Sequence, residues 1–302
     1  MPIAFRPIYV QTESAFETSS SLTSPAQSGT RRPSKKRKKR ALLGRDGKPL
    51  SPSAAKLRLL KRLKCTLRYE KVAWQSGARL IAGVDEVGRG WLFGPVVAAA
   101  VILRHDFDCE GKLRPCVRGL RDSKLLDAET REKLAVQIRQ QAIAYAISAI
   151  DAAQIDQINI YHASRLAMRE AVRQLSPVPD HLLVDAMVVD FDCTQTKIIH
   201  GDALSVSIAA ASIIAKVERD NMVKQWDSVY PIYGLASNKG YSTPSHKAAL
   251  REHGPSPLHR QSFAPVWMSS QTSFEFMEEL EPEPEEELLE AVADAADDHS
   301  CG

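Results

Sequence analysis

Four acidic residues carry the chemistry of this chain most readily. Asp85 and Glu86 are adjacent inside Ile81-Ala82-Gly83-Val84-Asp85-Glu86-Val87-Gly88-Arg89-Gly90, a run that is otherwise mostly apolar and closes on glycines. Burying an unpaired carboxylate costs several kcal/mol, so such a pair implies a metal ion or another cation beside it. Asp185 follows Leu182-Leu183-Val184, and Asp202 stands in His200-Gly201-Asp202. Carboxylates at the ends of adjacent strands can converge on one pocket, and an all-oxygen set suits Mg²⁺ or Mn²⁺. Two such ions about 4 Å apart would activate a water and stabilise the leaving oxygen of a phosphodiester. Taken singly, each acid is also compatible with a turn or strand end facing water.

The elements that must place these acids are legible as patterns. Leu80 to Val87 and Pro95 to Leu103 are apolar and rich in β-branched residues, and the turn Gly88-Arg89-Gly90 joins them, so they read as a strand pair. In a regular strand Asp85 and Glu86 point to opposite faces, so sharing one site requires the strand to end or bulge there. Asp127 is a candidate N-cap for a helix opening at Ala128. A strand over Ala142 to Ile150, a helix over Ala152 to Leu175, strands over His181 to Val189 and Thr196 to Ile199, and a long Ala-rich helix over Ser205 to Trp226 follow. Ala54 to Trp74 reads as an amphipathic basic helix. Paired strands followed by strands alternating with helices predict a mixed α/β sheet with helices on its faces.

These residues also carry a family resemblance. The stretch Ala82 to Gly90 with Gly94-Pro95-Val96-Val97-Ala98-Ala99-Ala100-Val101-Ile102-Leu103 resembles the opening motif of ribonuclease HII. Asp122-Ser123-Lys124, Leu183-Val184-Asp185, Gly201-Asp202 running into Ile208 to Asp220, Tyr233-Gly234, Lys239-Gly240-Tyr241-Ser242-Thr243 and Gly254 to Arg260 follow in the order that family shows. The resemblance spans Arg58 to Val266 and implies a ribonuclease H-like mixed β-sheet flanked by helices, with a C-terminal helical extension. It implies a metal-dependent endoribonuclease acting on RNA–DNA hybrids and on single ribonucleotides embedded in duplex DNA. Such an enzyme cuts on the 5′ side of the ribonucleotide and leaves 3′-hydroxyl and 5′-phosphate ends. By position, Asp85, Glu86, Asp185 and Asp202 become the metal-binding and catalytic acids, with Mn²⁺ or Mg²⁺ as cofactor. Asp220 is the rival for the fourth place. Its predicted position, about four turns into a helix beside Arg219, favours a helix-surface charge instead.

The resemblance further implies that Gly88, Arg89 and Gly90 contact the 2′-hydroxyl and the neighbouring phosphate, with Tyr241 packing under the adjoining sugar. Glycines permit that close backbone approach, and the 2′-hydroxyl is what separates RNA from DNA. Lys124 and Lys239 are candidate phosphate contacts, and Lys216 is a weaker one. An Arg in this turn separates the chain from the sister family, ribonuclease HIII, where a Lys is expected. One departure stands out: Trp91 and Phe93 occupy places where the family usually has Pro and a small residue. Trp91 could reshape the rim, stack on nucleic acid or make a simple apolar contact. His246, His253 and His259 have no metal-like spacing and read as structural or loop histidines.

Charge is divided very unevenly. Through Glu70 there are 17 Lys or Arg against 4 Asp or Glu, while from Gln271 onward there are 12 acids and no Lys or Arg. The formal charge of +3 for 302 residues therefore conceals a basic arm and an acidic tail. Like-charge blocks resist collapse, so residues 1–52 and 270–302 are expected to be disordered, flanking a catalytic domain at 53–269. The basic arm could bind phosphates non-specifically or act as a localisation signal. Five scattered cysteines without a Cys-x-x-Cys pair point to reduced thiols. With no secretory segment and no long apolar run, a cytoplasmic, membrane-free monomer is expected. Two alternatives stay open at this level. Another nuclease of the same superfamily would cut all-DNA substrates and ignore the 2′-hydroxyl. A non-catalytic nucleic-acid-binding protein would leave four acids beside the turn unexplained.

Overall fold

The computed structural model describes residues 63–105, 120, 123 and 126–270, together with Ser51, Arg58 and the backbone of two short strands at 108–109 and 112–113. The expectations for both charged ends, and for Asp122 and Lys124, lie outside the described residues.

The strand pair forms as its composition predicts. β1 (Ile81–Val87) pairs antiparallel with β2 (Val96–Ile102). The short hairpin β3 (Asp108–Cys109) and β4 (Lys112–Leu113) precedes α2 (Ala128–Gln141), itself following an earlier α1 (Arg68–Gln75). β5 (Ala144–Ile150) returns antiparallel to β2. After α3 (Ala152–Arg173), β6 (His181–Asp185) lies parallel to β1, and β7 (Thr194–Ile198) lies parallel to β6. The sheet order is β5-β2-β1-β6-β7. A turn of helix, α4 (Gly201–Leu204), leads into α5 (Val206–Asp227), and α6 (Leu235–Asn238), α7 (Pro244–His253) and α8 (Ala264–Trp267) form the C-terminal extension.

The pleat assigns the two faces. Val97, Ala99 and Val101 pack with α2 and α5, while Ala82, Val84, Ala98 and Ala100 pack with α3. β2 is buried along its whole length, which explains its continuous apolar run. Ala209, Ala210 and Ala211 are fully buried, so α5 lies close on the sheet. The approach is close at Gly83, where a Cβ would fall 2.1 Å from the Ser207 carbonyl carbon. A third cluster gathers Leu92, Phe93, Val223, Tyr233, Leu235, Leu250 and Val266, tying the chain after the glycine turn to the C-terminal extension.

Capping matches the sequence at Asp127, which accepts from Thr130 N–H, and at Ser205, which accepts from Ile208 N–H. Three expectations need correction. The segment before Arg68 is not one helix through Trp74: Thr66 forms a parallel bridge with Ser205 instead. Its N–H donates to Leu204 O and its carbonyl accepts from Val206 N–H, a tertiary pairing that overrides helical spacing. The strand at His181 ends at Asp185 and not at Val189, because Ala186 takes a positive φ of 49°. The helix from Ala152 is broken at Asn159 (φ 62°), whose side chain accepts from the Tyr161 and His162 N–H groups and restarts it. Among the described residues, no helix is long and apolar enough to cross a membrane.

Candidate active site

Of the two expected routes, an end or a bulge, β1 shows no bulge: Asp85 stays opposite Ala99 and Glu86 opposite Ala98 in unbroken register. The strand ends at Val87, one residue past the acidic pair, and Gly88 follows with a positive φ. What opens the site is the other edge of β1. Its pairing with β6 is recorded only as far as Val84 with Val184, and β6 itself stops at Asp185. Asp85 and Glu86 thus occupy a stretch of strand with one flank uncovered, and acids leaving opposite faces can approach each other there. Asp85, buried at 4% exposure, follows the face toward α5. Glu86 accepts from Arg89 Nη1 at 3.4 Å.

Asp185 and Asp202 are brought in by the β7–α4 corner. His200 adopts a left-handed conformation (φ 58°), and Gly201 N–H then donates to Asp185 Oδ1 at 2.7 Å. Gly201 has no room for a side chain, since a Cβ would lie 2.5 Å from Ile208 Cδ1 and 3.3 Å from Asp185 Oδ1. Asp202, the next residue, is buried on α4. The corner is held from behind by Glu70 of α1, also buried, which accepts from Ser205 Oγ at 2.6 Å and Ser207 N–H at 2.8 Å.

Asp85 feels the other three acids. Burial, followed by the charges of Asp185, Glu86 and Asp202, holds the Asp85 carboxyl well above the usual carboxylate range, and the Ser212 hydroxyl partly offsets this. Ser212 in turn shares a hydrogen bond with Ser123, 3.0 Å between hydroxyl oxygens, tying Ser123 to the site. The chemistry of the set fits a hard divalent cation: its side chains offer carboxylate oxygens, and a cation would relieve the repulsion that Asp85 meets from the other three. Among the described residues, no group of three or more His, Cys, Asp or Glu side chains is set to hold a metal ion as it stands.

Across the mouth lies the glycine turn. Gly88 has φ +98°, and a Cβ there would strike the Trp91 ring, whereas a Cβ on Gly90 would meet nothing within 4 Å. The open side of Gly90 is where a ligand backbone can come close. Arg260, fully buried, fixes the turn: its Nη1 donates to Arg89 O and its Nε to Gly94 O, both at 2.9 Å. The Arg89 side chain stays largely exposed. Tyr241, 44% exposed, stands beside the turn, because Leu92 N–H donates to Gly240 O at 2.9 Å.

Comparison with known proteins then decides the family. The family model described as Ribonuclease HII matches residues 82–266, which hold every acid of the cluster and the turn. The chain belongs to the ribonuclease HII family. A curated relative, Ribonuclease HII of Koribacter versatilis, is 66% identical over 242 residues, covering 80% of this chain and 92% of that protein. Ribonuclease HII of Bacillus subtilis is 52% identical over 198 residues, covering 66% and 74%. Among solved structures, the ribonuclease H2 of Pyrococcus horikoshii matches with a TM-score of 0.56 at 26% identity, covering 63% of this chain and 97% of that one. Ribonuclease HII is a metal-dependent endoribonuclease, so the chain is a hydrolase of RNA–DNA hybrids.

Asp220 is not a surface charge. It is buried, and its carboxylate meets Lys216 Nζ at 2.7 Å, Lys239 Nζ at 3.4 Å and Arg131 Nη2 at 3.9 Å. Arg131 also donates to the carbonyls of Ser123 and Leu126, so Asp220 links the Ser123 loop to the Lys239 loop. The neighbouring Arg219 turns elsewhere, donating to Lys239 O and Phe93 O. Lys216 is buried against this cluster, and burial pulls its ammonium down to about 8 with Asp220 opposing. Lys239 is more exposed.

Sequence reasoning had no role for Glu70 or Arg260, and it set Arg219 beside Asp220, whereas its guanidinium donates to Lys239 O and Phe93 O. A Glu on a short helix and Arg residues within motif stretches carry no spacing signal, since their partners are backbone carbonyls or N–H groups distant in sequence. His246 and His259 are structural, as read. His246 donates from Nδ1 to Tyr241 O, His259 donates from Nε2 to His246 Nε2, and His259 Nδ1 accepts from Ser256 N–H. The carbonyl at one end and the N–H at the other fix both tautomers as neutral.

Proposed function

We propose that this member of the ribonuclease HII family cuts the phosphodiester on the 5′ side of a ribonucleotide, in RNA–DNA hybrids and at single ribonucleotides embedded in duplex DNA, leaving 3′-hydroxyl and 5′-phosphate ends. The observation that carries this reading is a buried Asp85 whose carboxyl is repelled by Asp185, Glu86 and Asp202, beside a turn whose Gly90 side is open. Divalent ions, Mg²⁺ or Mn²⁺ and two with substrate bound, would supply an activated water and stabilise the leaving oxygen. Asp85, Glu86, Asp185 and Asp202 would hold them. The backbone of Gly88, Arg89 and Gly90, pinned by Arg260, would read the 2′-hydroxyl as donor and acceptor. Tyr241 offers its exposed ring to the adjoining sugar, while Lys239 and Lys124 would contact phosphates. Residues 53–269 form the catalytic domain in this reading. The basic arm at 1–52 adds salt-sensitive, sequence-independent affinity.

The experiment is end-mapping on an end-labelled DNA duplex carrying one ribonucleotide, beside the all-DNA duplex of the same sequence. One cut on the 5′ side of the ribonucleotide, and none in the all-DNA duplex, is expected. Cleavage of both duplexes alike, or a cut on the 3′ side, contradicts the reading.

A further inference from the structure

Trp91 follows the glycine turn directly, and only 2% of its surface is exposed, so its ring is not a free stacking face for a base. The indole is held on several sides. A Cβ on Gly88 would begin 2.7 Å from Trp91 Cε3, so the turn itself rests on the ring. The Arg219 guanidinium lies over it with Cζ 3.0 Å from the ring centroid, and Lys216 Nζ stands 4.6 Å away. Tyr241 meets the indole edge to face, with centroids 5.0 Å apart and planes at 79°. Desolvated cation–π contacts of this kind are attractive and resist rotation of the ring.

We propose that Trp91 is a positioning residue that sets the gap between the Gly88-Arg89-Gly90 turn and Tyr241. This rests on the reading of that turn and Tyr241 as the pair that receives the ribonucleotide sugar. The turn lies on one part of a rigid ring and Tyr241 on another, so the width of the indole becomes the spacing between them. Arg219 locks the ring in place while bonded to the carbonyls of Phe93 and Lys239, one on each of the two chain segments. Its Nη2 would lie 2.9 Å from a Cβ on Gly240, so a glycine before Tyr241 is needed to admit the guanidinium. A smaller side chain at position 91 would let Tyr241 lean toward Gly88 and narrow the slot. Displacements of about 1 Å in a reacting complex cost up to about 100-fold in rate.

A double-mutant cycle with the full chain tests this on a DNA duplex carrying one ribonucleotide. Trp91→Leu is expected to lower kcat about tenfold with KM nearly unchanged, since the error is in orientation more than in affinity. Trp91→Phe is expected to recover most of that loss. In a Tyr241→Ala background, Trp91→Leu should cost no more than about twofold further, because the residue it acts through is gone. Equal losses in both backgrounds overturn the proposal, as does a Trp91→Leu variant that cuts like the wild type. Thermal unfolding is followed for each protein. If Trp91→Leu does not fold, Trp91→Met, which also removes the flat ring, goes through the same cycle under the same criterion. A wild type inactive on this duplex removes the sugar-reading assignment and the Trp91 role together. Additive losses in an active enzyme remove the Trp91 role alone.

Discussion

Asp85 and Asp185 stand abreast. β1 and β6 run parallel and pair up to Val84 and Val184, so the next residue on each strand is an acid pointing to the same face. Strand register, set by apolar pairs, is therefore what delivers two carboxylates to one place. The charge of Asp185 is the foremost of the neighbouring charges that hold the Asp85 carboxyl high.

That repulsion has a sign that stability measurements can read. A carboxyl whose folded pKa lies above its unfolded value costs stability once it is ionised. Asp85→Asn should therefore stabilise the protein in chelator by about 1 kcal/mol, or about 2–4 °C. Excess Mn²⁺ should reverse the order by binding the wild type more tightly. Differential scanning calorimetry with and without the ion checks both halves. A variant less stable than the wild type in chelator would show that the acids are not in conflict.

Gly83 and Gly201 predict unequal costs for the same substitution. A Cβ on Gly83 meets the Ser207 backbone at 2.1 Å, whereas one on Gly201 meets the flexible end of Ile208 at 2.5 Å. Overpacking costs about 1–3 kcal/mol and more where backbone must move, so Gly83→Ala should be the costlier. Urea unfolding of the two variants compares them, and equal losses would mean that α5 is free to shift on the sheet.

The His246–His259 pair makes acid sensitivity predictable. Burial, and then the charge of its partner, pull the His259 imidazole down to about 3, and burial lowers His246 as well. The folded protein therefore binds fewer protons than the unfolded chain between pH 6.5 and about 3, and stability falls as pH falls through that window. His259 alone should contribute a loss of about 1.4 kcal/mol per pH unit below its unfolded value. Urea titrations at pH 7 and pH 5.5 should show a shallower dependence for His259→Asn than for the wild type. Parallel slopes would mean that the pair is already charged in the fold.

Asp220 separates a structural anion from a metal ligand. Removing its charge strands Lys216, Lys239 and Arg131 around a buried neutral group, and breaking buried pairs of this kind costs about 3–5 kcal/mol. Asp220→Asn should lose stability on that scale while binding Mn²⁺ as the wild type does in calorimetric titration. Lost Mn²⁺ binding in a folded Asp220→Asn protein would place it among the ligands.

The parts of this fold that were legible in the sequence are those specified locally. The apolar runs of β1 and β2, the caps at Asp127 and Ser205, and the Ala face of α5 each announce themselves by period or by residue type. The acids were legible because carboxylates in apolar strands are costly and therefore conspicuous. Thr66 was misread because helical spacing before Arg68 gave way to a bridge with Ser205, a contact no local pattern encodes. Asp220 was misread for a related reason. Its cations come from two other segments as well as from Lys216 one turn earlier, so burial was invisible in the helix pattern. The site opens not through a bulge but because β6 stops short, which depends on the length of a neighbouring strand.

The account rests most directly on Asp85. Cleavage of a DNA duplex carrying a single ribonucleotide should be measured with Mg²⁺ or Mn²⁺ for the wild type and for Asp85→Ala, with folding of both verified by thermal unfolding. The wild type should cut on the 5′ side of the ribonucleotide and the variant should lose the activity, by about 1,000-fold or more if the cluster provides the electrostatic stabilisation of the transition state. Equal cutting by the two proteins, or no cut by the wild type, would contradict it.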